Sequence, residues 1–198
     1  MLAKLILSIV DSVCGFLSLA LLIRFWLQQL RLPFRNPVGQ FVIAVTNWMV
    51  IPVRRFIPGL FGWDMSSLLL AWLWQAVYVG LKIGVEYGLS DAPLTTLTVS
   101  PAPSLAVALM AALDTLKITI YLAMGTVFIS AVFSWVNPYA PLADLFNAAS
   151  RPLLKPFRRY IPLIGGVDLS PLALLLLLQV ALSLLAVSRL YAEALLYL

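Results

Sequence analysis

Four stretches of about 20 mostly apolar residues recur along the chain, at about residues 5–27, 65–85, 115–136 and 171–190. At 1.5 Å per residue, a helix of that length crosses the ~30 Å hydrocarbon core of a bilayer. Water is a poor solvent for such a chain: 63% of its residues are hydrophobic and 11% charged, where soluble domains are about half apolar and about a quarter charged. The sequence therefore predicts an all-α membrane protein with about four transmembrane helices. Residues 104–113 lengthen the third apolar region beyond a simple crossing, as one long tilted helix or as a separate interfacial segment.

The chain has no His and a single Cys, Cys14. Imidazole-dependent triads, most metal sites, thiol relays and disulfides fall away with them. Lys4 ahead of an apolar run resembles a signal peptide, but Asp11 interrupts the run and no small-residue cleavage site ends it. Asp11 and Val13 also stand where a lipoprotein signal before Cys14 needs small or apolar residues. No cleavage, catalytic residue, cofactor or metal is expected, and no nucleic-acid contact.

Orientation follows from the cations, because Lys and Arg in short loops stay on the cytoplasmic side. Arg24, Arg31, Arg35, Arg54 and Arg55 surround the first connection between spans, and Arg151, Lys155, Arg158 and Arg159 the third, whereas residues 86–113 contain none. Both connections should face the cytoplasm and both termini outward.

The two basic regions are also copies of one pattern. Asn36-Pro37 answers Asn137-Pro138, and residues 52–58, Pro-Val-Arg-Arg-Phe-Ile-Pro, answer residues 156–162, Pro-Phe-Arg-Arg-Tyr-Ile-Pro, at an offset of 104. The same offset carries Gly62, Asp64, Ser66 and Gln75 onto Gly166, Asp168, Ser170 and Gln179. An internal repeat of this kind predicts two tandem units. Each unit holds two spans, so both enter the membrane the same way, as parallel repeats about an axis along the membrane normal. Residues 1–90 form the first repeat, 91–112 an outer connector and 113–198 the second.

Each repeat offers four features. Between Asn137-Pro138 and Pro156, Leu142, Leu145, Phe146, Ala149 and Leu153 share one helical face, opposite Asp144, Asn147, Arg151 and Lys155, which suggests an amphipathic segment on the membrane surface. The first copy has Phe41, Val42, Val45, Trp48 and Met49 against Gln40 and Asn47. Next comes the Pro-x-Arg-Arg-x-x-Pro element, read as a loop in which Pro52 and Pro58, or Pro156 and Pro162, fix two guanidiniums at one depth. Arg forks suit phosphate, so Arg54, Arg55, Arg158 and Arg159, with Arg151 and Lys155, are the candidate contacts for anionic lipid headgroups or a protein partner. Third, Ser170 before Pro171, and Ser66 in the first copy, have the pattern of helix N-caps, while Asp64 and Asp168 are placed to pair with the arginines of their own halves. Fourth, Gln75 and Gln179 fall near the bilayer midplane, where amides seek partners, either across the two halves or along a polar path. Asp11, Asp114 and Lys117 are further polar residues in apolar surroundings, the last two at the i, i+3 spacing of a helix pair.

On these residues the chain resembles the YggT (YlmG) family of small bacterial and plastid membrane proteins. The second half carries Asn137-Pro138, Arg151-Pro152, Pro156, Arg158-Arg159, Pro162, Gly166 and Asp168-Leu169-Ser170-Pro171. The first half carries Arg24, Asn36-Pro37, Pro52, Arg54-Arg55, Pro58, Gly62, Asp64 and Ser66, with Trp48 where the second has Pro152 and Ser67 where it has Pro171. The resemblance implies a multi-pass bacterial inner-membrane protein without catalytic activity, of a kind linked to osmotic-stress tolerance, cell division or, in plastids, cytochrome cofactor assembly. The leading expectation is a scaffold or assembly factor that contacts lipids, a membrane-protein partner or a second copy through its basic motifs. A small transporter or channel subunit is the alternative.

Overall fold

The computed structural model describes residues 2–57, 63–89, 101–161 and 168–194. Pro58, Pro162, Gly62 and Gly166 lie outside the described residues. The order is long, short, long, twice over: α1 (Leu2–Gln29), α2 (Pro37–Arg54), α3 (Met65–Leu89), α4 (Pro101–Val136), α5 (Ala143–Tyr160) and α6 (Ser170–Ala194). Four of these, α1, α3, α4 and α6, are long and apolar enough to cross a membrane. Their outward faces carry Leu, Ile, Val and Phe in numbers that only lipid, or another apolar surface, can cover. The protein is a multi-pass membrane protein.

Residues 104–113 are part of α4, which runs unbroken for 36 residues. At about 54 Å it is far longer than the hydrocarbon core, so it tilts or projects beyond the apolar zone. α1 ends because Arg31 takes a left-handed conformation, φ 54°. Leu32 N–H then reaches back to Leu27 O at 2.9 Å and Arg31 N–H to Gln28 O at 3.0 Å, closing a Schellman-type cap ahead of Pro33.

The duplicated Asn-Pro pairs do different work. Asn36 caps α2, its side chain accepting from Gly39 N–H at 2.8 Å with Pro37 in the first turn. Asn137 instead closes the turn after α4 by accepting from Tyr139 N–H at 3.1 Å, and α5 starts later, without a side-chain cap. At Gly39 a Cβ would stand 2.7 Å from Phe34 Cα, so only glycine lets the chain turn this closely into α2.

The second Pro-x-Arg-Arg run is helical rather than a loop, and the first is helical through Arg54, with residues 55–57 in a turn. Pro52 lies inside α2, and both Pro152 and Pro156 inside α5, so Arg158 and Arg159 form the last helical turn. Proline deletes one backbone hydrogen bond in a helix interior. Here all three prolines sit on the exposed side, where the freed carbonyl can face water, and the helix continues. Cations in a last turn also favour the negative end of the helix dipole.

α1, α2 and α3 meet around Leu21, Leu22, Met49, Val50, Leu70 and Ala71. α4, α5 and α6 meet around Val127, Leu154 and Leu174, and Val79 of α3 joins α4 and α6 through Ala106, Met110 and Ala192. The face that α2 buries is Val42, Thr46, Met49 and Val50, whereas Phe41 and Trp48, expected on that face, point outward. α5 buries Ala143, Ala149, Ser150 and Leu154 and exposes Arg151, Lys155, Arg158 and Arg159. Between neighbouring helices, Trp72 Nε1 of α3 donates to Ala108 O of α4 at 3.1 Å and Trp26 Nε1 of α1 to Ala149 O of α5 at 3.4 Å.

Candidate functional site

At the end of the bundle that carries the Arg-Arg pairs, each half ties its short helix to the start of its next span through one arginine and one aspartate. In the first half Arg54 donates to Asp64 Oδ2 at 2.8 Å and to Gln28 of α1 at 2.8 Å. Arg24 reaches the same carboxylate at 3.7 Å, and it also donates to Thr46 and Asn47 of α2 at 2.8 Å each. Ser67 adds a bond to Asp64 Oδ2 at 2.7 Å, and Ser66 donates to Ile57 O at 2.8 Å, which pins the end of α2 to the start of α3. The Asp64 side chain is 1% exposed, and Oδ1 has no hydrogen-bond partner among the described residues.

The second half repeats the pairing in a wetter form. Arg158 Nε lies 2.8 Å from Asp168 Oδ2, with Asp168 26% exposed. Ser150, which the offset of 104 matches to Thr46, bonds Ser130 of α4 at 3.0 Å, and Ser130 donates to Asn147 at 2.6 Å, so neutral hydroxyls replace the buried Arg24 link. The cap of α6 comes from Asp168, whose Oδ1 accepts from Ser170 N–H at 2.9 Å; Ser170 Oγ, expected to be the cap, has no partner among the described residues. Partial burial pushes the Asp168 carboxyl up, but hydrogen bonds from Ser170 and Arg158 outweigh it and hold the group below its ordinary range.

One arginine of each pair, Arg54 or Arg158, thus holds an aspartate while its side chain stays partly exposed, and the other, Arg55 or Arg159, is exposed beside an exposed ring, Phe56 or Tyr160, with no ion pair among the described residues. Arg151 and Lys155 are exposed on the same side of α5. The structure brings together Arg54 with Asp64 and Arg158 with Asp168, and leaves Arg55, Arg151, Lys155 and Arg159 facing outward.

The intramembrane polar residues arrange themselves otherwise than their spacing suggests. Gln75 is buried and donates to Ser18 of α1 at 3.0 Å, a contact within the first half; Ser18 in turn donates to Ala71 O at 3.0 Å. Gln179 is exposed on α6. Asp114 does not pair with Lys117 but with Arg189 of α6, bidentately at 2.9 and 3.2 Å. Arg189 also binds Glu193, and Lys117 lies 5.9 Å from the Tyr121 ring centre. Arg189 escaped the sequence reading, although a lone arginine in an apolar helix was its signal.

Counted from the Arg-Arg end of each helix at ~1.5 Å per residue, Asp11, Lys82, Lys117 and Arg189 lie about 26–29 Å away, and Asp114 about 33 Å. These charges therefore form one layer near the opposite edge of the hydrocarbon. A cavity of about 540 Å³ opens among them, lined by residues of α1, α3, α4 and α6 and reaching inward to Gln75.

The CCB3/YggT family profile matches residues 3–84 and 109–189. The chain belongs to the CCB3/YggT family. Its relatives include an uncharacterised Pseudomonas aeruginosa protein, 35% identical over 86% of this chain and 83% of its own length. The Escherichia coli K12 protein YggT, also uncharacterised, is 31% identical over 87% and 84%, and a Haemophilus influenzae protein is 32% identical over 85% and 84%. No solved structure matches. The matched stretches of the CCB3/YggT chain contain both Arg–Asp knots as well as Asp114 and Arg189. None of the three relatives' names carries an enzymatic activity.

Proposed function

We propose that this CCB3/YggT protein is a non-enzymatic scaffold or assembly factor of the bacterial inner membrane, with its Arg-Arg helix ends in the cytoplasm, where they hold anionic lipid headgroups or a partner protein. The observation that carries this reading is the division of labour within each pair: Arg54 and Arg158 bind aspartate, while Arg55 and Arg159 remain exposed next to Phe56, 85% exposed, and Tyr160, 79% exposed. Aromatic rings at headgroup depth beside free guanidiniums suit an anionic interface. A role in osmotic tolerance, cell division or cofactor assembly is compatible with such a scaffold.

A titration of phosphatidylglycerol into the delipidated protein tests it. Arg55→Gln with Arg159→Gln should lose roughly 1 kcal/mol of attraction per charge plus the bidentate bonds, and the loss should persist in part at high salt. Arg31→Gln with Arg35→Gln should lose only the salt-sensitive part. Equal losses that vanish together in salt would reduce the motif to charge alone. Impermeant thiol reagents on intact cells should miss a cysteine placed at Phe56 or Tyr160; labelling there overturns the orientation.

The second reading, a small transporter or channel subunit, keeps one support, the polar cavity at the far end of the bundle. It loses the paired glutamines, since Gln75 bonds within its own half and Gln179 faces outward.

A further inference from the structure

The charges around the far cavity do not cancel within the chain. Arg189 is neutralised by Asp114 and Glu193, and Lys82 lies 3.9 Å from Glu86. Asp11 and Lys117, on facing helices of the same cavity, have no ion-pair partner within 4 Å among the described residues. Along the cavity wall Asp11 and Asp114 stand with Lys82, Lys117 and Arg189, while Glu86 and Glu193 lie outside that wall and hold Lys82 and Arg189. A single anion could answer Lys117 but would leave Asp11 uncompensated. A single cation leaves Lys117 without a partner. A ligand that carries an ammonium and an anion a few atoms apart answers both.

We propose that the cavity binds a zwitterion of the phosphoethanolamine type, its primary ammonium donating to Asp11 and its phosphate accepting from Lys117. Three observations converge on this chemistry. The opposite unpaired charges share one cavity, whose volume of about 540 Å³ is within the usual range for small-ligand sites. Their depth, near the edge of the hydrocarbon opposite the Arg-Arg pairs, is that of phospholipid headgroups. Finally, a charge near the membrane interior is costly unless something pairs with it. A primary ammonium has three N–H donors, whereas a trimethylammonium has none, so the site should prefer ethanolamine to choline. The site is separate from the basic helix ends and does not depend on their role.

Native mass spectrometry of the delipidated full chain, titrated with phosphatidylethanolamine, phosphatidylcholine and phosphatidylglycerol of identical acyl chains, tests the proposal. The expected result is a preference for ethanolamine over choline of about tenfold, the yield of one charge-assisted hydrogen bond. Asp11→Asn should erase that preference, and Lys117→Gln should weaken the ethanolamine and choline lipids alike. Both residues are exposed and outside any ion pair among the described residues, so the fold tolerates the changes; unaltered melting in detergent checks this. Arg55→Gln with Arg159→Gln should leave the preference intact, which separates this site from the one at the basic end. A parallel titration with soluble glycerophosphoethanolamine identifies the source: binding lost in the same variants makes the ligand a soluble zwitterion, and binding of the diacyl form alone makes it a lipid. Equal affinity for ethanolamine and choline lipids, or a preference that survives Asp11→Asn, overturns the proposal.

Discussion

Asp64→Asn isolates the energetic asymmetry between the two knots. The substitution keeps shape and most hydrogen-bonding capacity but removes the charge that faces Arg54 at 2.8 Å and Arg24 at 3.7 Å. Arg24 is 8% exposed and cannot turn to water, so the variant leaves a cation buried among Thr46, Asn47 and a neutral amide. Removing one member of a buried pair costs about 3–5 kcal/mol, mostly the cost of the stranded charge. The amide at position 64 and the two bonds from Arg24 to Thr46 and Asn47 recover part of this, which places the expected loss near ~2–4 kcal/mol. Asp168→Asn makes the same chemical change where Arg158 is half exposed and Asp168 a quarter exposed, so the expected loss is at most about 1 kcal/mol. Unfolding in mixed micelles with increasing denaturing detergent measures both. If the two variants fall by the same amount, or if Asp64→Asn is neutral, the buried-cation argument is wrong and Arg24 has access to water. The double variant Arg24→Leu, Asp64→Asn is the internal control, because it removes the stranded charge and should regain most of the loss.

Gln75→Leu should cost somewhat under about 1 kcal/mol through the Ser18 bond, as membrane hydrogen bonds generally do, while Gln179→Leu, on an exposed face of α6, should be neutral or slightly stabilising in the same assay. The Asp168 carboxyl lies below its ordinary range, so the stability it contributes is present at neutral pH and is lost as pH falls through that lowered value; Asp168→Asn should flatten the acid limb of a melting-temperature profile, and an unchanged limb refutes the assignment. Gly39→Ala should destabilise by about 1–3 kcal/mol, because its Cβ meets Phe34 backbone rather than a yielding side chain; wild-type melting would show that the turn into α2 shifts freely.

The sequence by itself determined the elements. A run of 20 apolar residues has few folded alternatives to a spanning helix, since in lipid the backbone must satisfy its own hydrogen bonds. Pairing of Asp64 and Asp168 with arginines of their own halves was legible too, because short connections confine the partners to one end of the bundle. Periodicity did not reveal which way each helix is turned. Gln75 and Gln179 hold matching positions in matching motifs, yet α1 covers Gln75 while Gln179 is exposed, because α6 packs chiefly on α4 and α5. Likewise Asp114 had a partner three residues away on its own helix and took one 75 residues away instead. Propriety of local spacing decides little when a neighbouring helix brings a bidentate guanidinium. The helical path through Pro52, Pro152 and Pro156 was also tertiary: a proline's missing bond is tolerable where its carbonyl faces out, and only packing fixes which side of α2 and α5 faces out.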